Sequence, residues 1–458
     1  MFTKSRIVGI LLLTALVTGS VFASAMADFS ASGKNGNSRD LKVLNYADFT
    51  QANTVVDHAW TWGTFRDRNP SISVSVEDLF NEPFHNKTEA YIASGNMPDV
   101  LYVWPSGRST SLHEQKLLKD LTPLINRDGL NRVYPSGVLD PSQMSSGYIS
   151  MIPLTVTNTH TLFINMEVLN DCGLQPARTY TELLTQVPIL RAKGYDTIVM
   201  AAQDDWGLQS CLFSMIAGRF CGAGWEARIN NGTARFTDAD FIAALAFIQS
   251  MVVSGVMRDN VIGIGYGDGP GMFANNRCAY YIDGDWRVGA FLTDSSTGQA
   301  LIPPARQRNI RLGVFPDIPA AKINKSSSTV LGTGWAISAD VPAGSAREDA
   351  AWTLVKWLTS QEVQTRGVQS GAYTAAARND VDASRMNLEP LQITAASLGS
   401  SYDTSTCVID GAFHSDVYSH INVGLQQLVM NSTNLTLARE IAQRTQNAFD
   451  QGRRAGQW

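Results

Sequence analysis

The segment from Ser94 to Trp104 joins the end of a helix to a buried strand, and it limits the possible fold more than any other stretch. Gly95 is typical of a helix C-terminus, and Pro98 prevents the helix from resuming. Residues 100–103 form a continuous apolar run, which favours a strand covered on both faces of a parallel sheet. Trp104 then either caps the sheet core or faces a cleft at the carboxyl end of the strand, where open α/β sheets bind ligands.

Strand and helix patterns alternate through the first part of the chain. Strands are predicted at 41–46 and 72–76, with a helix between them. Capping boxes at Thr179 and Ser345 predict the starts of two later helices. Further strands are predicted at 148–154, 161–165, 198–201, 278–282, 312–316 and 334–338. This alternation is the signature of a parallel sheet flanked by helices, so the predicted fold class is α/β.

The first 27 residues have the pattern of an export signal. Two basic residues precede an apolar stretch at 7–17 that is too short to span a bilayer comfortably, and 25–27 fits the small-x-small cleavage pattern. We expect 1–27 to be a cleaved signal peptide and the Ser- and Gly-rich residues 28–39 to be a flexible N-terminus. No cysteine lies near the cleavage point, so we expect a periplasmic protein without a lipid anchor.

Charge and cysteine content exclude several function classes. The chain has a net charge of -5 and no cluster of Lys and Arg, so nucleic acid is not expected as a partner. Five scattered cysteines are too few for a disulfide scaffold, although export would allow Cys211 to pair with Cys221. The histidines lack zinc-ligand spacing, and no metal or other cofactor is expected.

Four ordered segments carry a resemblance to a known family. They are 94–100, 163–174 with 179–184, 272–280 with 284–286, and 350–358. Together they resemble the family 1 extracellular solute-binding proteins of bacterial ABC importers, the maltose-binding-protein-like group. The resemblance implies a two-lobed periplasmic binding protein fold with a hinge cleft and multiple chain crossovers. It implies a lobe 1 of 40–153 plus 328–371 and a lobe 2 of 157–325 plus 374–458.

The resemblance also assigns residues to the ligand cleft. Trp104 and Trp286 match positions where such proteins often stack an aromatic ring on a sugar. Asp48 and Asn158 match polar positions on loops that face the cleft. The full set that the resemblance implies is Asp48, Trp104, Asn158, Trp206, Trp286, Gly334, Trp335 and Tyr373.

Two carboxylates complete the predicted site. A sugar presents an apolar face of C–H groups and a rim of hydroxyls, so its site needs flat aromatics together with short, oriented polar partners. Asp285 precedes Trp286 at the end of a predicted strand, and Asp99 lies in the opening segment. Asp99 could instead cap the turn before its strand.

The resemblance implies capture of a sugar or oligosaccharide by hinge closure and its delivery to the permease of an ABC transporter, by a monomeric protein that is not an enzyme. Two alternatives stay open. A secreted glycoside-active enzyme would also use aromatics and paired carboxylates, such as Asp283 and Asp285. The ligand could also be a non-sugar solute such as a glycerol phosphate.

Overall fold

The computed structural model describes residues 35–51, 53–324, 326–398 and 407–456. The expected signal peptide at 1–27 lies outside the described residues, as does most of the flexible N-terminus expected at 28–39. Across the described segments, no helix is long and apolar enough to cross a membrane.

The strands have bounds close to the predicted ones. The strands are β1 (Asp40–Tyr46), β2 (Ser73–Leu79), β3 (Val100–Val103), β4 (Ile152–Pro153), β5 (Val156–Asn158), β6 (Thr161–Asn165), β7 (Asp196–Val199), β8 (Cys278–Asp283), β9 (Ile310–Gly313), β10 (Thr329–Leu331) and β11 (Gly334–Ile337). The apolar runs at 100–103 and 161–165 form β3 and β6 as predicted. The predicted strand at 148–154 is reduced to the two residues of β4.

The helices cover both sheets. The α-helices are α1 (Thr54–Arg68), α2 (Glu82–Ser94), α3 (Thr110–Glu114), α4 (Thr122–Asp128), α5 (Met166–Asp171), α6 (Tyr180–Ala192), α7 (Asp205–Leu208), α8 (Ser214–Cys221), α9 (Trp225–Asn230), α10 (Ala239–Val253), α11 (Gly269–Ala274), α12 (Pro304–Gln307), α13 (Ala346–Leu358), α14 (Gln361–Ser370), α15 (Pro390–Ala396), α16 (Ile409–Ala412), α17 (Ser415–Met430) and α18 (Leu437–Ala455). The side chains of Thr179 and Ser345 accept hydrogen bonds from the backbone N–H groups of Glu182 and Glu348, so both predicted helix starts are confirmed.

Two separate sheets form the framework. The first has the order β2-β1-β3-β11-β4, in which β1 is parallel to β2 and β3 while β11 is antiparallel to β3 and β4. The second has the order β7-β8-β6-β9, with β7 parallel to β8 and β6 antiparallel to both of its neighbours. The α/β class is therefore confirmed.

Each sheet has its own hydrophobic core. The first core contains residues between 41 and 154 and between 335 and 377, and we call this body lobe 1. The second contains residues between 162 and 318 and between 391 and 449, and we call this body lobe 2. The finer bounds implied by the resemblance stay a prediction, and Ala377 packs in the first core although the predicted second lobe resumes at 374.

The chain crosses between the lobes three times, and the crossing segments are hydrogen-bonded to one another. The first and second crossings pair as the antiparallel strands β5 and β10. The third crossing joins them because the hydroxyl of Thr155 donates to the backbone O of Ala375 at 2.6 Å. The three segments form the hinge between the lobes.

Asp99 is a structural residue of lobe 1, and its expected contact with ligand is corrected here. Its side chain is 1% exposed, and its Oδ1 and Oδ2 accept from Nε and Nη2 of Arg347 at 2.8 and 2.9 Å. Oδ2 also accepts from the backbone N of Lys42 at 2.9 Å. Asp99 therefore joins β1 to α13 beside the start of β3 and lies outside the cavity described below.

The buried ion pair predicts a large loss of stability when it is broken. Asp99→Ala leaves the Arg347 guanidinium without its partner, so the free energy of unfolding in guanidinium chloride should fall by about 3–5 kcal/mol. Glu362→Ala removes the exposed pair with Arg68 and should leave the free energy of unfolding nearly unchanged. Equal losses for the two variants would contradict the structural role of Asp99.

Candidate ligand-binding site

A cavity of about 710 Å³ lies between the two lobes. Its lining combines residues at the carboxyl ends of β1 and β3, residues that follow β8, and residues of the crossing segments. Its volume is in the range of small-molecule sites, roughly 300–1,000 Å³. The cavity therefore lies at the carboxyl ends of the strands, where open α/β sheets bind their ligands.

Aromatic side chains from three neighbouring strands form the lobe 1 wall of the cavity. The ring of Tyr46 stacks on Tyr102 with centroids 5.7 Å apart and meets the edge of Trp104 at 5.2 Å. Tyr102 meets the edge of Trp335 at 5.4 Å. Trp104 lines the cavity and also packs against the first core, so both of its predicted environments are present. Mutual packing fixes the orientation of these rings.

A second aromatic cluster forms the lobe 2 wall. Trp206 lies 5.2 Å from Tyr266 and 6.5 Å from Trp286, measured between ring centroids. The guanidinium of Arg287 packs 3.6 Å from the centroid of Tyr266 and is ion-paired with Asp283 at 2.9 Å. This buried cation–π contact supports the tyrosine ring from behind.

A glycine makes room for the Trp286 indole. A Cβ atom at Gly284 would lie 2.2 Å from the ring of Trp286, which is closer than any side chain allows. The sequence Gly284-Asp285-Trp286 therefore lets the indole fold back against its own backbone after β8 ends. The result is a tryptophan that lies against the protein on one side and lines the cavity.

Two indole N–H groups in this wall have no protein partner. The Nε1–H groups of Trp206 and Trp286 are buried and donate to no partner within the described part of the chain. A buried donor without a partner costs roughly 1–3 kcal/mol, so such groups usually meet water or a ligand. Both residues line the cavity, so their rings can stack on a ligand.

Asp285 is a buried carboxylate that joins the cavity to the hinge. Its Oδ2 accepts from the backbone N of Asn158 at 3.0 Å and from the hydroxyl of Thr374 at 2.7 Å. Burial raises the pKa of Asp285 to about 6, and these hydrogen bonds only partly offset that rise. Asp285 also lines the cavity, so it can accept from a ligand hydroxyl.

The remaining predicted residues divide into cavity and non-cavity positions. Predicted residues in the lining are Asp48, Trp104, Trp206, Asp285, Trp286, Trp335 and Tyr373. The carboxylate of Asp48 also accepts from the backbone N of Thr50 and from Nε2 of Gln51, both at 3.0 Å, and so shapes its own loop. Burial raises the pKa of the Tyr373 hydroxyl, which keeps it protonated and able to donate.

The expected ligand contacts of Asn158 and Gly334 are corrected, because neither residue lies in the cavity lining. The side-chain O of Asn158 accepts from the backbone N of His160 at 3.1 Å and from the Ser327 hydroxyl at 2.6 Å, which ties the first crossing to the second. A Cβ at Gly334 would lie 2.2 Å from the backbone O of Ile152. The glycine thus permits close approach of β11 and β4.

Sequence reasoning missed several lining residues, of which Tyr46, Tyr102, Tyr266 and Arg108 matter most. Tyr46 ends a predicted strand, so the argument applied to Trp104 would have found it. Tyr266 lies within the glycine-rich stretch 263–271, where no periodic pattern indicates the direction of its side chain.

The described residues contain no group of three or more His, Cys, Asp or Glu that could hold a metal ion. All five cysteines are free, so the possible Cys211–Cys221 disulfide is not formed.

The model of one protein family matches this chain. The family described as bacterial extracellular solute-binding protein matches residues 46–365, which is more than half of the chain. The chain belongs to this family. No curated protein matches the sequence of this solute-binding protein.

Solved structures share its two-lobed fold. A protein studied for xylan utilization in Caldanaerobius polysaccharolyticus has a TM-score of 0.76 at 21% identity, with 89% of this chain and 99% of that chain covered. A chitin oligosaccharide binding protein has a TM-score of 0.75 at 17% identity, with 89% and 98% covered. A maltose-bound protein of T. maritima has a TM-score of 0.68 at 18% identity, again with 89% and 98% covered.

The raised pKa of Asp285 predicts a specific pH dependence. An unfolded aspartate has a pKa of about 4, so the folded protein binds the extra proton, and stability contributed by Asp285 increases as pH falls from about 7 through 6 toward 4. Asp285→Asn should remove this gain, measured by chemical unfolding across that range. Hydrogen bonds from Ser142 lower the pKa of Asp140, so Asp140→Asn should change the pH slope in the opposite direction. The same slope in Asp285→Asn and wild type would contradict the assignment.

Proposed function

We propose that this protein is an exported, monomeric solute-binding protein that captures a sugar or oligosaccharide by hinge closure and delivers it to an ABC permease in the periplasm. The observation that carries the proposal is the pair of aromatic walls across one cavity. Rings supply the stacking surface for the C–H faces of a sugar, and Asp285 supplies a partner for its hydroxyls.

The charge of the cavity supports a neutral ligand over a phosphorylated one. Among the described lining residues Arg108 is the only Lys or Arg, and it is already ion-paired with Glu82. Burial, assisted by Arg108, lowers the pKa of His85 to about 3, so this lining histidine is neutral. A glycerol phosphate would need several cationic partners. Arg108 is the one arginine in the described lining, and it already pairs with Glu82.

The position of Asp283 removes the carboxylate pair that the enzyme alternative names. Glycoside hydrolysis needs two carboxyl groups on opposite sides of the scissile bond. Asp283 is 3% exposed and accepts from Arg287 Nε at 2.9 Å and from the Tyr281 hydroxyl at 2.7 Å, so it is committed to the protein interior. Asp285 is left without this expected partner in the cavity.

Hinge closure is the proposed mechanism. The two lobes, with bounds near 40–153 plus 328–371 and 157–325 plus 374–458, would separate about the three crossing segments. A ligand that contacts both walls stabilises only the closed arrangement, so its differential contacts shift the equilibrium toward closure. A permease would then recognise the surface of the closed form.

A screen of neutral oligosaccharides tests the proposed ligand class. The panel should include xylo-, chito- and malto-oligosaccharides, because the structural neighbours are described in connection with xylan, chitin oligosaccharide and maltose. We expect thermal stabilisation of the purified protein by at least one of them, with no new sugar released. Product formation would favour the enzyme alternative.

Loss of Trp286 should weaken the binding of whichever sugar the screen identifies. Trp286→Ala removes a stacking face, so calorimetry should show an affinity lower by roughly 1–3 kcal/mol. Trp60→Ala removes a half-buried tryptophan that packs on Trp357 outside the cavity, and its affinity should equal that of the wild type. Equal affinities for both variants would reject the assignment of Trp286.

A further inference from the structure

Trp104 lies just beyond the end of its strand, at the edge of the cavity. The register between β3 and β11 ends at Val103, which lies opposite Gly334. Pro105 follows Trp104 and has no backbone N–H. Because buried peptide groups are normally hydrogen-bonded, the backbone of Trp104 needs partners from outside the sheet.

Side chains of the segment that follows supply both partners. The backbone N of Trp104 donates to the hydroxyl O of Ser109 at 3.0 Å, and its backbone O lies 2.8 Å from Nε2 of His113. Ser109 ends the short 3₁₀ helix Gly107–Ser109, and His113 lies in α3. The chain therefore turns back after Pro105 and holds Trp104 by both of its backbone polar groups.

The geometry determines which nitrogen of His113 carries the proton. A carbonyl O can only accept, so Nε2 is the donor to the backbone O of Trp104. Nδ1 lies 3.2 Å from the hydroxyl of Ser150 and accepts from it. The histidine is 1% exposed, and burial lowers the pKa of its ring, which keeps the ring neutral. Both ring nitrogens are therefore paired.

His113 also connects Trp104 to a second segment of the cavity wall. The backbone N of Ser150 donates to Sδ of Met144 at 3.3 Å. Met144 and Trp104 both line the cavity, whereas His113 itself lies outside the described lining. His113 can therefore influence a ligand only through the residues that it holds.

We propose that His113 is a positioning residue of the sugar site, which fixes Trp104 by donating a hydrogen bond to its backbone O. The inference rests on the proposed function, in which the ring of Trp104 stacks on a sugar. A ring that is held in place before the ligand arrives loses less conformational freedom on binding. The hydrogen bond thus increases the affinity without touching the ligand.

Two amide variants of His113 separate this role from general stability. The Nε2 group of His113→Gln can take the place of the histidine Nε2 and donate to the backbone O of Trp104. The shorter amide of His113→Asn can reach Ser150 but not Trp104. For the sugar that the screen identifies, calorimetry should give an affinity within about twofold of the wild type for His113→Gln and about fivefold weaker for His113→Asn.

Variants at other positions provide the controls. Ser109→Ala removes the acceptor for the backbone N of Trp104 and should also weaken binding, so it tests the proposal even if the histidine variants do not fold. Thr359→Val removes a buried hydroxyl of lobe 1 outside the described lining and should lower stability without changing the affinity.

A double variant tests whether His113 acts through Trp104. His113→Asn should cause no further loss of affinity in the Trp104→Ala background, because both substitutions act on the same ring. Wild-type affinity in both His113→Asn and Ser109→Ala, or additive losses in the double variant, would overturn the proposal.

Fluorine NMR without any ligand separates this inference from the proposed function. In protein labelled with fluorotryptophan, the Trp104 resonance is assigned by its loss in Trp104→Phe. We expect one sharp resonance in the wild type and His113→Gln, and a shifted, broadened resonance in His113→Asn, because a ring that is no longer fixed exchanges between positions. If no sugar binds, the proposed function fails while this resonance still tests His113. The same Trp104 resonance in His113→Asn and wild type would overturn the inference even if a sugar binds.

Discussion

The pairing of β11 with β3 is the constraint on which the rest of the structure depends. The chain leaves lobe 1 after β4, builds most of lobe 2, and returns to insert residues 334–337 between β3 and β4. That insertion is possible because Gly334 has no Cβ to meet the backbone O of Ile152. It brings Trp335 beside Tyr102, and so completes the aromatic wall with a residue distant in sequence.

The fold was largely predictable, because strands buried on both faces are continuous apolar runs and helices begin at capping residues. Residues 100–103 and the caps at Thr179 and Ser345 illustrate this local information. The site was predictable only in part. Asp99 and Trp104 lie five residues apart in the sequence, yet one is committed to Arg347 and the other lines the cavity. Residues that are distant in sequence, such as Arg347, determine whether a side chain is buried or lines the cavity. A local sequence pattern does not contain this information.

The two walls of the cavity have different supports. Rings of lobe 1 support one another across neighbouring strands, whereas Tyr266 of lobe 2 rests on a buried arginine that is neutralised by Asp283. Asp283, at the end of β8, therefore neutralises the buried arginine, whereas Asp285 lines the cavity. Alternation of side chains is interrupted at the end of β8, where a 3₁₀ helix begins at Asp285, so the two acids serve separate purposes.

The hydrogen bonds within the hinge have a mechanical consequence. β5 pairs with β10, Thr155 bonds to Ala375, and Asp285 Oδ2 accepts from both Asn158 and Thr374. Three chain segments joined by these hydrogen bonds would bend together and not one by one in the hinge closure that we propose. The opposing walls would then approach each other in one fixed orientation.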